Sequence, residues 1–226
     1  MIEKRAENIM IPEEANYQRT MKRDVEPYLR SYEKDGYIES YDSTAIYYRT
    51  YRIPQAKAGI VISHGFCEFA EKYKEVIYYF LKNGYSVYVP EHRGHGYSDR
   101  IVVEGEKVHI EDYEQYVQDL HCFVKNVVEL TEKRKILFCH SMGGAIGVRY
   151  LEEFPLTFDA AILSAPMIGM NIGKYPKWLA KVTADFFCAI GKGTKYAAGQ
   201  SGFSDKPSFE TSSCVSRERY MYIYNM

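Results

Sequence analysis

No histidine follows His140 in a chain of 226 residues. Charge of one sign is not in excess either, with 29 Lys+Arg against 30 Asp+Glu. That balance excludes a strongly basic nucleic-acid binder and an acidic solvating tail. No apolar run approaches the roughly 20 residues that a bilayer requires, so no stable membrane insertion is expected. Residues 1–5 carry no apolar signal-peptide stretch, and a cytoplasmic location is the expectation. Cysteines number only five, scattered singly. An odd, dispersed set argues against a disulfide framework and suits a reducing compartment. Internal repeats and low-complexity tracts are absent. With about 100–200 residues per domain, the length allows one domain or a tight pair.

What is present is a rhythm of short apolar runs and helical stripes. Residues 1–34 are charged and weakly periodic and read as an N-terminal arm, with Pro27 interrupting any long helix. Tyr/Ile-rich runs at 37–41 and 45–51, split by Asp42-Ser43-Thr44, predict an antiparallel hairpin. Short apolar strands are expected at 58–63, 86–90, 135–139 and 160–164. Helices are expected from Tyr73 to a stop at Gly84, from Asp112 through Val128, and over 144–154. Strands alternating with helices predict an α/β fold, a mostly parallel sheet covered on both faces. Beyond Pro166 an apolar stripe runs from Trp178 to Ile190. A loop follows over 191–207, and Thr211 or Ser212 would cap a last helix. Tyrosine is abundant, 22 against 11 Phe, and reads as amphipathic packing. The organisation expected is an arm (1–34), an α/β core (35–170) and a partial cap (171–226).

The segment Cys139-His140-Ser141-Met142-Gly143-Gly144 lies between a buried strand and a helix. In that context x-x-Ser-x-Gly forms a nucleophile elbow, a sharp turn that exposes Ser141 above the sheet. Small residues two before and two after the serine let the chains pack closely. Gly143 satisfies this, and Cys139 stands where glycine is usual. The elbow also puts Ser141 at a helix N-terminus, where free N–H groups favour developing negative charge. An oxyanion site then needs one N–H from the residue after the nucleophile, Met142, and one from the loop after an earlier strand, Phe66 in His64-Gly65-Phe66. His64 reads as a loop-packing residue. His92 and His95 have the spacing of a metal pair. They lack a third ligand, and Gly94 and Gly96 break any helix that would align them. The preferred reading is a tight turn whose polar side chains hold the loop. Neither a metal nor a cofactor is expected.

Together, His64-Gly-Phe66, Pro90-Glu-His-Arg-Gly-His-Gly-Tyr-Ser-Asp99, Tyr116-Val-Gln-Asp-Leu120 and His140-Ser-Met-Gly-Gly-Ala-Ile146 resemble the α/β-hydrolase superfamily. The branch they are most similar to is that of the bacterial lysophospholipases and monoacylglycerol lipases, the serine aminopeptidase-like hydrolases. The resemblance runs from about residue 25 onward, and the stretch from Trp178 to Thr211-Ser-Ser looks like the family's cap. It implies an eight-stranded sheet, a Ser–Asp–His triad and hydrolysis of small single-chain acyl esters. In that fold the acid and the histidine follow the serine in the chain.

No histidine does so here, and Asp159, Asp185 and Asp205 follow no strand that could be the seventh. The expectation is a C-terminally incomplete hydrolase that lacks its last two strands, roughly 70 residues, and is inactive alone. Its sixth strand would be an exposed edge open to self-association. A non-catalytic remnant of the fold, or a hydrolase of aminoacyl or small esters, are the alternatives.

Overall fold

The computed structural model describes residues 9–169, 176–196, 202, 208–212 and 214–226. Six strands form one sheet in the order β1 (Glu33–Glu39), β2 (Ala45–Tyr51), β4 (Ser86–Pro90), β3 (Gly59–Ser63), β5 (Lys135–His140), β6 (Ala160–Ser164). β2 pairs antiparallel with both β1 and β4, and β4, β3, β5 and β6 run parallel. The parallel strands are the continuous apolar runs. β3 and β4 are buried at every position, because helices cover both faces there.

On one face lie α1 (Tyr17–Thr20), α2 (Glu26–Arg30), α3 (Lys74–Lys82) and the last helix, α7 (Arg217–Tyr224). On the other lie α4 (Glu114–Phe123) and α5 (Met142–Glu153), packed through Tyr116, Leu120, Phe123, Ile146 and Tyr150. α6 (Lys177–Ala189) carries the apolar stripe anticipated from Trp178 onward, and its described side chains are almost all exposed.

Three local expectations change. The N-terminal segment is helical almost without a break from Glu14 to Arg30. Tyr17, Met21, Val25 and Leu29, spaced by four, are all buried in the core. Pro27 sits at the start of α2, directly after a π turn, Met21–Val25. The wider turn relieves the clash between the proline ring and the carbonyl four residues back, so the helix continues where a break was expected. β1 starts at Glu33 because an edge strand tolerates the charges of Glu33, Lys34 and Asp35, which hide it from a hydropathy reading. Finally, Ser216 caps α7 by accepting the Arg219 N–H at 3.1 Å. Thr211 and Ser212 instead end a short 3-10 turn.

Residues 1–8, 170–175, 197–201, 203–207 and 213 lie outside the described residues. They include Asp205, most of the loop expected before Pro207, and parts of the expected arm and cap. No helix among the described residues is long and apolar enough to cross a membrane. All five cysteines are free thiols.

Candidate active site

β5 ends at His140 and α5 begins at Met142, which leaves Ser141 alone in the turn with φ 51° and ψ −117°. A non-glycine residue in that region costs of order 1–3 kcal/mol and persists only where its surroundings enforce it. Here the Ser141 N–H donates to the Ser164 carbonyl at 3.2 Å, and the Ser141 carbonyl accepts from Gly144 (2.9 Å) and Met167 (2.8 Å). The edge strand β6 and the chain after it therefore clamp the turn.

Close approach explains the small residues. A Cβ on Gly143 would overlap the Ser63 carbonyl at the end of β3. Gly147, one helical turn further on, makes room for the Cys139 thiol. Cysteine can thus replace the usual glycine before the serine because the neighbouring helix yields the space. Burial pushes the Cys139 thiol up to about 12, so it is a packing group and no rival nucleophile.

The register of β3 on β5 pairs Ser63 with Cys139, so the turns that follow the two strands meet. A Cβ on Gly65 would lie 3.2 Å from the Ser141 Cβ. Glu68 ties down the first turn by accepting the Gly65 N–H (2.7 Å) and the Tyr73 hydroxyl (2.6 Å) on one oxygen. Its other oxygen lies 4.0 Å from His140 Nε2. Phe66 follows with its side chain 56% exposed. Among the described residues, neither the Phe66 N–H nor the Met142 N–H has a protein acceptor. Two free donors therefore belong to the two turns that meet at Ser141. The Ser141 hydroxyl itself has no hydrogen-bond partner among the described residues.

The histidines near these turns are held by the fold. His64 is fully buried, its Nδ1–H donates to the Gly65 carbonyl (2.8 Å), and its Nε2 accepts the His92 N–H (2.9 Å). Both nitrogens are thereby occupied, in keeping with its reading as a packing residue. His92 Nε2 lies 3.0 Å from the Ser63 hydroxyl, and burial lowers its pKa to about 3. His95 donates from Nδ1 to the Arg93 carbonyl at 3.1 Å, and burial lowers its pKa as well.

The rest of this loop is pinned in the same way. The fully buried Glu91 accepts the N–H groups of Ala70 (2.9 Å) and Tyr97 (2.7 Å). Arg93 forks onto Asp119, two bonds of 2.6 Å, and onto Asp42. The tight-turn reading of His92 and His95 describes this arrangement. Glu91 and Asp119 stood inside segments that carry the family resemblance, but no role was read for them, and Glu68 was not singled out from the sequence. The three-residue spacing from Gly65 to Glu68, typical of a turn closed by a side chain, could have marked it.

Among the described residues, the aspartates after Ser141 are occupied elsewhere. Asp159 caps the opposite end of β5, accepting the Lys135 N–H at 2.8 Å, and Asp185 pairs with Lys181 on α6. Among the described residues, no group of three His, Cys, Asp or Glu side chains could hold a metal ion.

Comparison with known proteins matches residues 54–213 to the family model of the serine aminopeptidases, S33. Lysophospholipase L2 of Escherichia coli K12 is 36% identical over 123 residues, covering 54% of this chain and 36% of that protein. The monoacylglycerol lipase of Mycolicibacterium smegmatis is 33% identical over 122 residues, covering 54% of this chain and 42% of that protein. The chain thus spans less than half the length of these two curated relatives. Among solved structures, a thermostable carboxyl esterase from Bacillus coagulans superposes with a TM-score of 0.60 at 21% identity, covering 73% of this chain and 53% of that one. A monoglyceride lipase from Saccharomyces cerevisiae gives 0.57 at 21%, covering 73% and 55%. These two likenesses speak for the fold. With the strand–Ser141–helix turn and the mostly parallel sheet of an α/β-hydrolase fold, the matches establish that the chain belongs to the serine aminopeptidase (S33) family.

Proposed function

We propose that Ser141 is the nucleophile of a serine ester hydrolase whose substrates are small single-chain acyl esters of the lysophospholipid or monoacylglycerol type. The observation that carries the reading is the left-handed Ser141 at the head of α5, with the free N–H groups of Met142 and Phe66 on the two turns that meet there. Ser141 Oγ attacks the acyl carbonyl, the two N–H groups receive the oxyanion, aided by the positive end of α5, and collapse of the tetrahedral intermediate breaks the ester C–O bond and releases the alcohol, which takes up a proton, leaving the acyl on Ser141. The acyl-serine ester is then hydrolysed by water. Cys139, His140 and Gly143 shape the elbow and take no part in proton transfer.

Attack also needs a base to take the hydroxyl proton. His64 and His92 are buried neutral in backbone and side-chain bonds, and no side chain among the described residues meets the Ser141 hydroxyl. In a well-studied serine protease, loss of the histidine costs about a millionfold in turnover. We therefore infer that residues 1–226 by themselves hold the nucleophile and the oxyanion donors but turn over little. A cytoplasmic setting suits the five free thiols.

The test is fluorophosphonate labelling of the purified 226-residue chain and of Ser141→Ala, with hydrolysis of monoacylglycerol, lysophospholipid and aminoacyl esters measured in parallel. Slow labelling that rises with pH and vanishes in Ser141→Ala is expected, with turnover near background. Fast labelling that still depends on Ser141 would show that a base is present. Labelling indifferent to Ser141→Ala would remove the serine from the mechanism.

A further inference from the structure

His64-Gly-Phe66 and Pro90–Asp99 are separate motifs in the sequence, and the fold joins them. The His64 and His92 rings lie 4.3 Å apart, and the Ser63 hydroxyl is 3.0 Å from His92 Nε2. The His92 N–H can only donate, so His64 Nε2, 2.9 Å away, accepts and carries no proton. Complete burial keeps the ring neutral. Its one proton is therefore on Nδ1, and that N–H donates to the Gly65 carbonyl at 2.8 Å. The same carbonyl accepts the Glu68 N–H at 3.3 Å, and the Gly65 N–H is held by the Glu68 carboxylate at 2.7 Å. The Gly65–Phe66 peptide is trans. Such a peptide is planar, and its C=O and N–H point in opposite directions. A carbonyl fixed on the buried imidazole thus turns the Phe66 N–H away from it, and no protein group among the described residues accepts that N–H.

We propose that His64 is a positioning residue of the oxyanion site: through the tautomer that the His92 N–H imposes, it aims the Phe66 N–H at the oxyanion formed when Ser141 attacks. The role rests on the reading of Ser141 as the nucleophile. The bond to the Gly65 carbonyl fixes the plane of the peptide, so the donor is in place before charge develops. It also draws electron density toward the carbonyl oxygen, which makes the N–H of the same amide a stronger donor. No proton is transferred. The position requires a side chain that accepts at one end and donates at the other across a fixed spacing, and neutral imidazole does both from one rigid ring. His92 acts through its main chain. Its loop is stiffened by Glu91, which accepts from Ala70 and Tyr97, and by the His95 N–H on the His92 carbonyl at 2.9 Å. The second motif therefore braces the first.

NMR of the unaltered 226-residue chain tests the proposal without any substitution. Long-range proton–nitrogen correlations of the His64 ring at pH 7 should show a proton on Nδ1 and a bare Nε2. The opposite tautomer, or a doubly protonated ring, would overturn the proposal. After fluorophosphonate labelling, the Phe66 amide proton should move downfield as it meets the phosphonyl oxygen, and an unmoved resonance would also overturn it. Labelling rates at increasing probe concentration complete the test. His64→Phe keeps a ring and loses the donor. It should lower the maximal rate about 10- to 100-fold, short of the roughly 100- to 1,000-fold cost of removing an oxyanion donor outright. The half-saturating probe concentration should stay unchanged. His64→Asn, whose Nδ2 takes the place of Nδ1, should restore most of the rate. An unchanged maximal rate in His64→Phe, or a loss confined to half-saturation, would contradict the role. If His64→Phe does not fold by circular dichroism, the tautomer and the Phe66 resonance decide. Labelling indifferent to Ser141→Ala would instead remove the nucleophile, and the tautomer result would stand apart from it.

Discussion

Cys139 and Gly147 share one small volume, and whether the elbow can close depends on their sum. A methyl group added by Gly147→Ala has nowhere to go and should lower stability by about 1–3 kcal/mol in urea unfolding. Cys139→Gly in the same chain should restore part of that loss, as a favourable coupling in the double-mutant cycle. Titration at His92 makes a second prediction. An unfolded histidine takes up its proton near 6.5, but the buried His92 does so only at about 3. Between those values the unfolded chain binds the extra proton, so stability falls as pH drops. At about 1.4 kcal/mol per pH unit, His92 alone should remove about 3 kcal/mol by pH 4. Urea midpoints at pH 7 and pH 4 read this directly, and His92→Phe should flatten the slope. The elbow was legible in the sequence because strand, serine and glycine are contiguous. The role of Asp119 was not, although its segment stood out, because what makes it matter is Arg93, 26 residues back, and Ser40, 79 residues back.

At the level of elements, the helical run from Glu14 to Arg30 shows how a charged segment conceals a core helix. Tyr17, Met21, Val25 and Leu29 occupy one stripe, and every position between them except Tyr28 is polar, charged or proline. Period-four burial with a single residue per turn makes a weak hydropathy signal, and Pro27 argued against continuity. The π turn that admits the proline is visible only in the fold. Met21→Ala should cost about 2–5 kcal/mol, as for other fully buried side chains. Limited proteolysis should then cut first between residues 14 and 30. Cleavage elsewhere would mean that the helix contributes little to the core. By contrast β4, β6, α3 and α6 lie within one or two residues of where the pattern put them. Their apolar residues are dense and their ends carry polar or glycine stops.

For the molecule as a whole, burial grades across the sheet. β3 and β4 are covered at every position, and β6 at none. Amide exchange should follow that grade, slowest in β3 and β4 and fastest in β6 and α6, because opening free energy follows local burial and packing. Uniform exchange along the chain would contradict the grade. The edge also bears on the site, because the Ser164 carbonyl at the end of β6 holds the Ser141 N–H. Whatever steadies β6 steadies the strained turn.

The sequence alone determined the α/β class, the position of the nucleophile turn and the absence of any histidine beyond it. Those are matters of local pattern, in which a strand, a small-residue turn and a helix stand next to each other in the chain. The tertiary structure decided what surrounds Ser141. The β3–β5 register brings the Phe66 turn beside it, burial keeps His64, His92 and His95 neutral, and Glu68, Glu91 and the Arg93–Asp119 fork hold the loops. Register and burial are set by contacts between residues tens of positions apart. A charge or a ring nitrogen gains its partner, and its proton affinity, only when the chain has closed around it.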